Sequence, residues 1–157
     1  QTIKYFRKQK ILENLVNLKD EYNIRYYGNN ENDQFKLDCS DYIGYEELSD
    51  IYKRSKIIIC QSPLQISIMN ERFDLALKYL SIPLLEKYPQ YKNLGVHENL
   101  FFDYSDNNLC QKIKNILMNY NNTYSKFKQF KESIVYNKYS IREFLIKIIN
   151  LNKKKNL

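Results

Sequence analysis

The run "NERFDLALKYLSIPLLEK", residues 70–87, puts Glu71, Arg72 and Asp74 at the start of a helical pattern. Two carboxylates around one guanidinium, just after an apolar segment, have two chemical readings. They are either a charged first turn that opposes the helix dipole, or a site for a charged, hydroxylated ligand. The chain's single histidine, His97, sits beside Gly95 in a segment that reads as a loop. It could act as a general base, but a loop role is expected. Glu98 follows it and could touch ligand hydroxyls, although its loop setting favours a solvent role. Glu46 and Glu47 read as a dipole-matched helix start rather than an acid/base pair.

These groups must be positioned by alternating strands and helices. Residues 3–20 read as a helix, with Ile11, Leu12, Leu15 and Leu18 on one face. "NIRYYG" (23–28) and "DYIGY" (41–45) read as short strands, with "NNENDQ" a polar loop. "EELSDIYKRS" is a short helix, and "KIIIC" (56–60) is apolar throughout, as a strand covered on both faces would be. A helix over 71–80 leads to the strand "IPLLE", and a further strand is expected in "NLFFDY" (99–104). A helix capped by Ser105 or Asp106 then presents Leu109, Ile113, Ile116 and Leu117. Helices are also expected over 122–137 and 140–151.

Such alternation implies a parallel sheet. The expectation is one Rossmann-like, three-layer α/β domain over residues 1–151, with four or five parallel strands, and a basic tail over 152–157. Ligands in such sheets sit beyond the carboxyl ends of the strands. The loop 61–70 and the helix start at Glu71 occupy such a place.

Composition narrows the classes. With 157 residues, 43% hydrophobic and 27% charged, the chain reads as one ordinary globular domain. No apolar run approaches the ~20 residues of a spanning helix, and no signal peptide is visible. Cys39, Cys60 and Cys110 lie far apart, without the spacing of a disulfide framework or zinc site, so a reduced cytoplasmic setting is expected. The net charge of +7 favours anionic partners. Lys153, Lys154 and Lys155 supply part of it, first as a solvated terminus and second as a membrane-surface patch. No regular basic-aromatic repeat appears, so nucleic-acid binding is not expected.

The runs "YIGYEELSDIYKRSKIIICQS", "ERFDLALKYLSIPLLE" and "VHENLFFDYSDNNLCQKIKNIL" together resemble the carboxyl-terminal half of a GT-B glycosyltransferase. The group 1 enzymes and their CgeB-like branch are the closest in flavour. The resemblance spans about residues 11–150, as many weak matches in the right order. It implies a domain binding a nucleoside diphosphate sugar as substrate, with no cofactor and no metal. It implies that Arg72 contacts the diphosphate, helped by helix-start N–H groups. Asp74, or Glu71 in its stead, would hold the ribose hydroxyls. Ser62 would reach the same ligand, and Gly44 with Tyr45 would line the nucleobase. No catalytic residue is assigned, because the acceptor site and base belong to an amino-terminal domain, which this chain, beginning at Gln1, is read as lacking.

The family's small residue late in this helix is replaced by Lys78, Tyr79 and Leu80. The alternative is therefore a degenerate, non-catalytic Rossmann module used for protein interaction.

Overall fold

Apolar residues three and four apart force helices to bury one face, and the first helix obeys this rule. In the computed structural model, α1 (Thr2–Val16) and the turn after it bury Ile11, Leu12, Leu15 and Leu18. The structure describes residues 2–27, 35, 37–40, 43–61, 71–105 and 108–137. The expected helix over 140–151 and the basic tail lie outside the described residues.

After α1 the chain forms β1 (Arg25–Tyr27), β2 (Asp38–Ser40), α2 (Tyr45–Arg54) and β3 (Ile57–Cys60). It continues through α3 (Glu71–Tyr79), β4 (Ile82–Glu86) and α4 (Pro89–Asn93). A short 3-10 turn (Glu98–Leu100), β5 (Phe101–Phe102), α5 (Asn108–Met118) and α6 (Tyr120–Asn137) complete the order. The five described strands make two parallel sheets, β1-β2 and β3-β4-β5. Ile57 pairs with Ile82, Cys60 with Leu85, and Glu86 with Phe102. The class is thus mixed α/β, with helices flanking a small parallel three-stranded sheet. The single sheet of four or five strands is corrected to two sheets. β1 and β2 spend their three-residue ladder on each other, and no described ladder joins them to β3.

Which strand is covered on both faces also differs from expectation. "KIIIC" looked like the doubly covered strand, yet Ile57, Ile58 and Ile59 are only half-buried, because β3 lies on the outside of its sheet. β4 is buried at all five positions. Successive strand residues face opposite ways, so β4 is covered on both faces. "DYIGY" is not a strand as far as it is described: β2 ends at Ser40, and Ile43 and Gly44 lead into α2. In "NLFFDY" only Phe101 and Phe102 are strand, because the chain before them is wound into the 3-10 turn.

The core gathers Phe73, Leu84, Leu85, Tyr91, Phe102, Leu109, Ile113 and Phe127. A satellite of Tyr52, Leu75 and Ala76 joins α2 to α3. α1 and α5 are tied by the Cys110 thiol, which donates to the Asn14 carbonyl at 2.9 Å.

Candidate functional site

Topology decides which side chains share an edge. α2 reaches β3 through Ser55 and Lys56, so α2 runs against the strand and starts at the sheet's carboxyl edge. α3 returns from the end of β3 to the start of β4 through Leu80 and Ser81, so it also starts there. The positive ends of two helix dipoles therefore lie at one edge.

α3 is anchored by Phe73, which is fully buried and meets the Tyr91 ring edge-on at 5.2 Å. With Phe73 turned inward, the flanking Arg72 and Asp74 are exposed, and so is Glu71. The Asp74 carboxyl backs onto protein although its surface is open. Burial first, and the charge of Glu71 second, push its pKa above the usual carboxylate range. Cys60 ends β3 beneath them. Burial pushes its thiol up to about 12, while Arg72 pulls it down and Asp74 pushes it up. The Tyr52 phenol, raised chiefly by burial, feels Cys60, Arg72 and Glu71 as well. Glu71, Arg72 and Asp74 thus form one electrostatic neighbourhood with Cys60 and Tyr52.

Gly44 caps α2 at φ −66° and ψ 157°, an extended conformation open to any residue. Among the described residues, nothing lies within 4 Å of where a Cβ would stand. Glycine is therefore not demanded there by backbone or packing. Tyr45 is the first residue of α2, placed by the backbone at the same edge. Ser62 lies outside the described residues. Glu98 is elsewhere: it enters β5 from the amino side and pairs with Lys92 at 3.3 Å, both well exposed. His97 caps that turn, its Nδ1 accepting from the Asn99 N–H at 3.3 Å.

The far half of the carboxyl edge holds a cluster that the sequence reading did not identify. Glu86, the last residue of the central strand, is buried and forms an ion pair with Arg7 of α1. Arg7 Nε donates to the Tyr104 hydroxyl at 3.1 Å, and its Nη2 to the Tyr88 hydroxyl at 3.1 Å. Tyr88 in turn donates to Glu86 Oε1 at 3.3 Å. Burial works against the Arg7 charge, but Tyr104 and Glu86 outweigh it and hold its pKa above the ordinary value. Burial pushes the Tyr104 phenol up to about 12. Beyond β5, hydrogen bonds from the Ser105 side chain and N–H hold the Asp103 carboxyl below its usual range. The one sequence signal for this cluster was an acid closing the apolar run "IPLLE". A carboxylate at the end of a buried strand needs a partner, but the sequence does not say which one.

Among the described residues no group of three or more His, Cys, Asp or Glu could hold a metal ion. No described helix is long and apolar enough to cross a membrane. No family model, no curated protein and no solved structure matches this chain.

Proposed function

We propose that this domain binds the nucleoside diphosphate of a sugar donor at the carboxyl edge of its three-stranded sheet, as the Rossmann-like donor half of a cytoplasmic glycosyltransferase. The observation that carries the reading is the α3 head, where exposed Arg72 stands between two acids just beyond β3 and beside the head of α2. Sheets of this kind bind ligands at such an edge, and helix-start N–H groups receive phosphates there. Arg72 takes the diphosphate. As the glycosidic bond breaks, negative charge grows on that diphosphate, and the guanidinium stabilises it. Asp74 accepts from the ribose hydroxyls, and Tyr45 lies near the base. A separate amino-terminal domain supplies acceptor and base, so the chain alone binds without turnover.

Ligand-observed NMR with UDP, GDP and CMP, repeated on Arg72→Ala, tests this. A hydrogen bond to a charged group contributes ~1.5–3 kcal/mol, so the substitution should weaken binding at least about tenfold. Unchanged affinity in Arg72→Ala would remove the assignment.

A second reading has its own support. The ends of β4 and β5 are closed by Arg7, Glu86, Tyr88 and Tyr104, so half of the edge is filled by the protein itself. A non-catalytic module kept for protein interaction would be built that way. It predicts no nucleotide binding at millimolar concentration.

A further inference from the structure

The amino edge of the sheet, opposite the candidate nucleotide site, concentrates positive charge from three separate stretches of chain. Lys53 lies in the last turn of α2, Lys56 precedes β3, and Lys78 lies in the last turn of α3. α6 is laid against these ends. Its Lys131 Nζ donates to the Lys78 carbonyl at 3.2 Å, and its Tyr120 ring lies 5.2 Å beneath the Lys56 ammonium. Residues 120, 124, 128 and 131 share one flank of a helix by their spacing, so Lys128 joins the same side as Tyr120 and Lys131.

Among the described residues, acids do not balance the cluster. Asp50 holds Lys53 at 3.1 Å, and Glu132 stands on the outer face of α6. Lys56, Lys78 and Lys128 are exposed and form no ion pair among the described residues. Lys53 and Lys78 also oppose the negative ends of their helix dipoles, but Lys56 and Lys128 have no such task. Next to this cluster, at the junction of α5 and α6, Met118 is 80% exposed, one of two large apolar side chains left open among the described residues.

We propose that this edge docks on an anionic lipid surface. The lysines would meet the headgroups and Met118 would enter the interfacial layer beneath them. The aromatic rings decide against a nucleic-acid strand as occupant. Recognition of single strands relies on open ring faces for base stacking. Here Lys53 and Lys78 sit over Tyr79 at 5.7 and 5.1 Å, Lys56 sits over Tyr120, and Tyr120 stacks on Tyr124 at 5.8 Å. Phosphate-dense headgroups need the ammonium groups and no free ring face. Docking by this edge would leave the carboxyl edge turned toward solvent.

Flotation of the full chain with phosphatidylcholine vesicles, with and without phosphatidylserine at about one part in five, tests the proposal. Partition should require phosphatidylserine and fall steeply with salt. A lysine near such a surface contributes about fivefold to partition, so Lys56→Gln with Lys128→Gln should lower it about 25-fold. Met118→Ser should lower it further. Circular dichroism checks that these surface variants remain folded. A control replaces Lys153, Lys154 and Lys155 by Gln and should keep most of the binding. Loss of binding in that control with no loss in the Lys56/Lys128 variant overturns the proposal. So does absence of partition, or tighter patch-dependent binding to a single-stranded RNA than to the vesicles.

Discussion

The buried pair of Arg7 and Glu86 gives the sharpest test of how this domain is held together. Both residues are under a tenth exposed, at 7% and 8%. They join α1 to the end of the central strand across 79 positions of sequence. Arg7→Met would leave a buried carboxylate without its guanidinium; Glu86→Leu would leave a buried guanidinium facing two phenols. Removing one partner of a buried pair costs about 3–5 kcal/mol, because the other charge stays desolvated. Domains of this size have ~5–15 kcal/mol in total, so either single variant should lose about a fifth of the stability or more. At ~2–4 °C per kcal/mol, Tm should fall by about 6–20 °C. The double variant Arg7→Met/Glu86→Leu removes both charges and replaces them with apolar groups of similar size, which is often near neutral. It should therefore be more stable than either single variant. Urea unfolding of all four proteins, followed by circular dichroism, measures the cycle. Single variants costing under about 1 kcal/mol, or a double variant costing the sum of the two, would refute the reasoning.

Three further outcomes follow from the same structure. Asp74 has its pKa raised above 3.8 by burial and by Glu71, so its contribution is favourable at low pH and is lost as pH rises through its folded pKa; Asp74→Asn should raise Tm at neutral pH while weakening nucleotide binding, and a thermal scan beside a nucleotide titration reads both. Tyr104 shifts from 10.0 to about 12, so its neutral form supports the fold below pH 10 and that support fades between pH 10 and 12; Tyr104→Phe should flatten the fall in stability over that window in alkaline urea titrations. Leu80 ends α3 at φ 61°, and the Ser81 N–H bonds back to the Ala76 carbonyl at 3.1 Å, the geometry in which helices favour glycine; Leu80→Gly should be neutral or stabilising by up to about 1 kcal/mol in denaturant melts.

Local pattern carried a definite share of this structure. The stripe of Ile11, Leu12, Leu15 and Leu18, the stripe of Leu109, Ile113 and Ile116, the helix after Glu71 and the strand "IPLLE" are all as their spacing implies. Each rests on residues within one or two turns of one another, so periodicity suffices. The place of Glu71, Arg72 and Asp74 at the head of that helix was legible for the same reason. Only the tertiary structure decided the rest. "KIIIC" is at least as apolar as "IPLLE", yet β4 is central and β3 is not, because centrality depends on which strands pair. Arg7 and Glu86 meet across 79 positions, and Lys56, Lys78 and Lys131 converge from three elements. A chain read residue by residue shows charge, periodicity and turn chemistry. Which distant charges must neutralise one another, and which are left facing out, follows from how strands pair and helices dock, and that is settled by long-range packing.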